Sequence, residues 1–310
     1  MKILAFFTFL LSTHVFAQKV DGVGIRSINP NLNSYYTIGK KEVDFQNKSS
    51  AGTNITLLTS WFDFGVTFQG GRNNQEGIKQ SRYHDFFLKT QIKDFELTYH
   101  QAEFVGANIN EGPLTEKDIF FEDYKVKKQL FRVTHYFNHV FNRVLNNPKA
   151  ARKERALTGS NYISSWLGTV GYVDTLSKFP KLNQEQSESM FGFNSINSTS
   201  SSYIENLETK NLFYSVGYAG LHMLTTNFTY DFKISFGNGF QVAKYTQNGK
   251  SQKDDTNASY MEWDFGLNYL INETHNIGLR GESYQNSVKI GDAKIDSSAS
   301  QVAVFYQYFI

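Results

Sequence analysis

The chain of 310 residues has no cysteine. That excludes disulfides, lipid attachment through an N-terminal cysteine, and thiolate metal ligands or nucleophiles, so the fold must rest on strand pairing and burial. A second absence is any long apolar run. No stretch approaches the roughly 20 apolar residues that a membrane-spanning helix needs. The longest, Ile3 to Leu11, follows Lys2 and leads to the small-residue site Val15-Phe16-Ala17. This pattern predicts a signal peptide over residues 1–17, Sec-dependent export, and a single mature domain over 18–310 beginning at Gln18. The third absence is an imbalance of charge: 31 Lys and Arg face 29 Asp and Glu, a net charge of +2. No electrostatic footprint for a nucleic acid exists in such a chain.

What is present is alternation. Aromatics make up 16% of residues while mean hydropathy is −0.42, as expected when only every second residue of each strand meets lipid. In Glu262–Ile271, Trp263, Phe265, Leu267, Tyr269 and Ile271 share a face opposite Glu262, Asp264, Gly266 and Asn268. Phe228 to Phe236, Phe62 to Phe68, Phe95 to Tyr99 and Phe131 to Phe137 repeat the pattern, each with charge on the second face. At the end of the chain, Val302, Val304, Tyr306, Tyr308 and Ile310 form one face of a last strand. Such a strand closes outer-membrane barrels and is the segment read by the barrel-assembly machinery. The expected fold is all-β: a transmembrane antiparallel up-and-down β-barrel integral to the bacterial outer membrane. A soluble lipocalin-type barrel would alternate equally, with its apolar face turned inward.

Short connections at Thr59–Trp61, Gln91–Asp94 and Asn272–Thr274 are expected at the periplasmic end. Longer ones at Gln69–Gln80, Gly106–Tyr124, Thr246–Asn257 and the Ser/Asn-rich Asp174–Thr209 are expected outside. Thirteen candidate strands emerge, and an odd number cannot bring both termini to the periplasm. Asn227–Tyr245, interrupted by Gly237-Asn238-Gly239, is one strand or a hairpin, and His139–Asn147 is a weak candidate. About 12 strands are therefore expected, with 10 and 14 open. Trp61, Tyr35, Tyr36, Tyr306 and Tyr308 are expected in interfacial girdles.

Around Tyr136-Phe137-Asn138, Arg155-Ala-Leu-Thr-Gly-Ser160, Asp174–Pro180 and Asn211–Tyr218, the chain resembles an uncharacterised family, a "domain of unknown function" of exported barrel proteins found chiefly in Bacteroidetes-type bacteria. The family usually carries a basic pair followed by Ser-Ala-Gly-Ser, whereas this chain keeps one basic residue and the final Gly-Ser. The resemblance implies an outer-membrane barrel and supplies no activity, cofactor or catalytic residue.

Chemistry is expected in the lumen, where inward positions collect Asp63, Asp85, Lys89, Glu96, His100, Arg132, Asp231, Lys233, Glu262, Asp264, Arg280 and Glu282. In a narrow interior such charges pair with one another, or they form rings that select solutes in a pore, with Glu262, Asp264, Arg280 and Glu282 as the candidate constriction. For an enzyme directed at lipid, a hydrolase or acyltransferase, His100 is the only candidate base and Ser165, Ser215 and Ser235 the inward hydroxyls. No Gly-x-Ser-x-Gly elbow accompanies them. Asp254, Asp255, Asp292 and Asp296 lack the spacing of a calcium loop, so no metal or cofactor is expected. The cations Lys149, Arg152, Lys153 and Arg155 form a rim patch suited to lipopolysaccharide phosphates or to a pore mouth. Three functions stay open: a narrow polar channel or transport-related barrel for small solutes, a surface adhesion or assembly module acting through its outward loops, and the lipid-directed enzyme. Catalysis is the weakest of the three.

Overall fold

The computed structural model describes residues 20–38, 41–48, 51–59, 62–69, 81–109, 119–145, 148–182, 203–247, 249–290 and 293–310. The segment expected to be a signal peptide, Trp61, most of the Gln69–Gln80 connection and Ser198–Ser202 lie outside them. The elements follow one another as β1 (Val20–Ile38), β2 (Lys41–Lys48), β3 (Gly52–Thr59), β4 (Phe62–Gln69), β5 (Arg82–Ile92), β6 (Phe95–Ile109) and β7 (Ile119–Tyr136). Two helices come next, α1 (His139–Val144) and α2 (Pro148–Thr158). Then follow β8 (Tyr162–Lys178), β9 (Ile204–Met223), β10 (Phe228–Gln247), β11 (Lys250–Leu270), β12 (His275–Ile290) and β13 (Ala293–Phe309).

All pairings are antiparallel, and β13 returns to β1 over their whole length, from Gly22↔Phe309 to Ile38↔Ala293. A closed ring leaves no sheet edge at the seam, which a wall inside a bilayer requires. Along the other side of β1, β2 pairs from Asn31↔Lys48 upward and β3 from Ile28↔Gly52 downward. The two segments therefore form one wall strand broken by a one-residue shift in register. Among the described residues, thirteen segments thus make a ring of twelve staves, and the start of β1 and the end of β13 lie at the same end. The short β4–β5 hairpin fills only the lower part of its sector; above it β2 pairs directly with β6 through Phe45↔Ile109 and Gln46↔Asn108.

Which way the alternating faces point is settled by exposure. Trp166, Val170, Tyr214, Val216, Phe236, Val302 and Val304 stand outward on the wall, Val216 at 68% exposure and Trp166 at 66%. The charged partners of these strands turn inward: Glu96, Asp231 and Lys233 are buried. This arrangement overturns the lipocalin-type alternative, whose apolar face would be inside, and makes the chain an integral outer-membrane β-barrel. Most strands outside β2–β5 are longer than a bilayer demands. β6 runs for 15 residues and β11 for 21, against roughly 9–11 for a tilted spanning strand.

The excess length explains a change of face within single strands. On β1, Val23 and Ile25 point outward near the terminus-bearing end, whereas Ile28, Leu32, Tyr36 and Ile38 point inward and are buried farther up. β12 switches from outward Ile277 and Leu279 to inward Val288 and Ile290, and β13 from outward Val302 and Val304 to inward Ile295. The lower tier is therefore built for lipid outside and charge inside. The upper tier stands above the membrane and is built like a soluble barrel, with water outside and an apolar core inside.

Several expected connections are strand instead. Thr246–Asn257 is the tip of the β10–β11 hairpin, paired through Gln247↔Lys250; its two polar faces reflect a position in water on both sides. β6 and β7 extend to Ile109 and Ile119, and β8 and β9 reach Lys178 and Ile204, trimming the Gly106–Tyr124 and Asp174–Thr209 loops from both ends. β10 passes Gly237-Asn238-Gly239 without a break. The weak segment after His139 is helical: the Asn138 side chain accepts from the Val140 N–H and caps α1. Tyr36 does not join an interfacial girdle. It is fully buried in the upper core.

Candidate functional site in the barrel lumen

Within the lower tier, beneath the upper core, lies a chamber of about 670 Å³. Its roof is apolar. Ile28, Tyr83, Ala102, Phe104 and Ala303 border it and belong to the upper core, which continues through Leu32, Tyr36, Phe45, Ile109, Tyr124, Phe179 and Ile295. Phe179 is the hub of that plug: its ring lies 5.2 Å from Tyr36, 5.5 Å from Phe45 and 6.0 Å from Tyr124. Tyr36 is pinned there because its hydroxyl accepts from the Ile204 N–H at 2.7 Å, and the Tyr124 and Ser34 hydroxyls meet at 2.8 Å.

The floor is formed by the helices. Asn138 holds the start of α1 to β8, its Nδ2 donating to the Ser164 carbonyl at 2.9 Å. Asn142 donates to the Lys93 carbonyl in the β5–β6 turn at 2.6 Å. Phe141, Val144, Leu145 and Ala151 pack on Tyr136, Ile163, Leu167, Leu221 and Met223 inside β7–β9. At the start of α2, Lys149 Nζ lies 5.0 Å from the Phe309 ring on β13. The helix pair thus crosses the opening from one side of the ring to the other. Asp21, Thr59, Gln91, Phe309 and Ile310 line the chamber at this terminus-bearing end.

Charged side chains fill the space between roof and floor: all twelve lumen residues expected from alternation line the chamber, and nine of them are brought together in two networks. In the first, Lys89 Nζ meets Glu96 Oε2 at 2.8 Å and Arg132 Nη2 meets Glu96 Oε1 at 3.7 Å. Arg132 then reaches Glu262 at 2.5 Å, and Lys233 Nζ meets the same Glu262 oxygen at 2.8 Å. Because β7 and β11 are four staves apart, the Arg132–Glu262 contact spans the lumen. In the second, Arg280 contacts Asp264 at 2.5 Å, Glu282 at 3.3 Å and Asp231 at 3.8 Å. Arg280 reaches Asp231 over Gly266, the residue between them on β11; a Cβ there would sit 2.6 Å from Asp231 Oδ2. Of the expected constriction quartet, Asp264, Arg280 and Glu282 form one cluster, while Glu262 belongs to the cross-lumen network.

His100 stands in the chamber wall with Nε2 3.3 Å from Asp85 Oδ2, and the Tyr83 hydroxyl donates to the same oxygen at 2.9 Å. The candidate hydroxyls are elsewhere. Ser165 on β8 accepts from the Asn138 N–H and donates to the Trp166 carbonyl, and Ser215 and Ser235 are buried on β9 and β10. No hydrogen bond among the described residues joins His100 to Ser165, Ser215 or Ser235, so the imidazole–carboxylate pair and the expected hydroxyls are not brought together. Metal ligation fares likewise: no group of three or more His, Asp or Glu among the described residues is arranged to hold an ion.

No family model matches the chain, and no curated protein does. Among solved structures, the outer membrane protease OmpT of Escherichia coli is 8% identical with a TM-score of 0.41, the match covering 96% of this chain and all of that one. The Pseudomonas putida toluene transporter TodX matches at 8% identity and a TM-score of 0.31 over 96% of this chain and 92% of its own. The attachment invasion locus protein Ail of Yersinia pestis matches at 9% and 0.25 over 92% and 99%. The barrel assignment stands on the closed ring and its apolar exterior, independently of these likenesses.

The basic run occupies α2, with Lys149 lining the chamber and Arg152 and Lys153 exposed. It therefore sits at the terminus-bearing end. There Lys149 borders the mouth of the chamber. Sequence reasoning missed Arg26 and Lys128 as chamber cations. Lys128 lies 3.1 Å above the Tyr284 ring. The signal was available, because Arg26 is in phase with inward Ile28 and Lys128 with Leu130 and Arg132.

Proposed function

We propose that this barrel is transport-related: its charged chamber takes small polar solutes from the terminus-bearing, periplasmic end, and its path to the exterior is shut in the present conformation. The observation that supports this reading is the chamber itself. It is lined by eight carboxylates and seven cations, large enough for a small solute, and bounded by a roof and a floor of very different construction. Paired fixed charges at close quarters favour solutes that carry both donors and acceptors, and they discriminate against apolar ones. The upper plug is held by ring contacts around a single residue, Phe179, which lies just beyond β8 and not in the wall.

Single-channel recording in planar bilayers tests this directly. The native barrel is expected to give no steady conductance, and Phe179→Ala, which removes the hub ring, is expected to give discrete openings. Large steady steps from the native protein would contradict a closed path. Silence from a folded Phe179→Ala barrel would remove the plug as its barrier. The polar upper tier favours a second reading, a surface module that binds through the projecting β10–β11 hairpin. Shortening that hairpin would then abolish attachment and leave conductance unchanged.

A further inference from the structure

The outer wall carries a second cavity, of about 810 Å³, beside the outward apolar residues of β9 and β10. It exists because the wall forks. The β11–β12 ladder ends at Tyr260↔Asn286, although β11 continues to Lys250 and β12 to Ile290. The β10–β11 arm parts from the β12–β13–β1 wall, and the cleft lies between them.

Its lining changes with height. At the foot, Val216 pairs across to Phe236 and Phe236 to Met261, a row continuous with the lipid belt, Val216 and Phe236 being exposed. One row higher the cross-strand series is Tyr214, Asn238 and Ser259 on one arm, and Ser287, Asp296 and Tyr35 on the other. Hydroxyls and amides thus make the floor, with a tyrosine at either flank. The charge in this row is already compensated, since Lys294 Nζ meets Asp296 Oδ2 at 2.6 Å.

From this geometry we infer that the fork is a binding site for the sugar head group of an outer-leaflet glycolipid. Uncharged hydroxyl and amide groups suit the many hydroxyls of a sugar, ring faces at the flanks suit its C–H surfaces, and the apolar foot suits the acyl chains that descend into the bilayer. A phospholipid head group has no sugar ring to set against the tyrosines and few hydroxyls to offer the floor. The site is on the opposite side of the wall from the charged chamber and does not depend on the chamber's role.

The test is lipid retention by the full barrel in nanodiscs containing equal amounts of a deep-rough lipopolysaccharide and phosphatidylglycerol, read by native mass spectrometry. The native protein is expected to retain the lipopolysaccharide about tenfold over the phospholipid. Ser287→Trp, which fills the cleft, is expected to abolish that preference, and the milder Ser259→Val to reduce it. Equal retention of both lipids by the native protein would overturn the inference, as would an unchanged preference in both variants. Displacement of the lipopolysaccharide by its deacylated saccharide at equal concentration would overturn the assignment to a lipid. Retention lost on addition of an extended peptide would do the same, assigning the fork to strand addition.

Discussion

Two cations converge on Glu262, because Arg132 and Lys233 both bond one of its oxygens and the Tyr260 hydroxyl donates to the other. Neutralising it leaves two cations facing each other in a confined space. Glu262→Gln is expected to cost about 3–5 kcal/mol of stability in urea unfolding, the range for removing one partner of a buried ion pair. Adding Lys233→Met should restore part of that loss. An additive double variant would mean that the two residues do not interact. Gly266 makes a complementary case. Its missing side chain is what lets Arg280 span to Asp231, so Gly266→Ala should cost about 1–3 kcal/mol by overpacking, measured in the same way. Sequence phase alone places the charged residues inward, since alternation along one strand fixes their face. It cannot pair them. Partner choice depends on which staves face each other across the lumen, and nothing local to β7 points to β11.

Within single elements the informative feature is the change of apolar face, seen at Ile25 against Ile28 on β1 and at Leu279 against Val288 on β12. The residues that make it are plain in the sequence, but a search for one uninterrupted alternation reads the upper segments as loops. The Thr246–Asn257 stretch reads as a connection for that reason: a strand bathed in water on both faces has no apolar period to detect. The lower-tier phase makes a firm prediction. Val304→Arg, midway along the outward row of β13, is expected to cost about 2–4 kcal/mol if it lies near the bilayer midplane, read from unfolding in vesicles. A neutral result would place Val304 outside the hydrocarbon. The helical floor is also hidden from sequence reasoning, because α1 is only six residues long and is held by its cap and by contacts to other strands more than by its own propensity. Asn138→Ala removes the cap and the bond to Ser164, at about 1 kcal/mol. Amides of residues 139–158 should then exchange faster with solvent while those of β10–β13 keep their protection; uniform protection would show that the floor is held without the cap.

For the molecule as a whole, the construction sets a direction. A plug of rings closes the upper tier, whereas the opening below is crossed by two short helices, so the chamber should communicate with the side on which both termini lie. The absence of cysteine makes this measurable, because a single introduced thiol is the only one in the chain. Gln301 lines the chamber and donates to Glu282 at 3.0 Å, placing a label among the charges without touching the Arg132–Glu262 bridge. In proteoliposomes of known orientation, Gln301→Cys is expected to react with a small membrane-impermeant thiol reagent supplied at the terminus-bearing face and to resist the same reagent at the other. Combining it with Phe179→Ala should open the second route and make labelling two-sided. Labelling from the outer face alone would reverse the direction inferred from the plug, and labelling from neither face would mean that the helices seal the floor as firmly as the rings seal the roof.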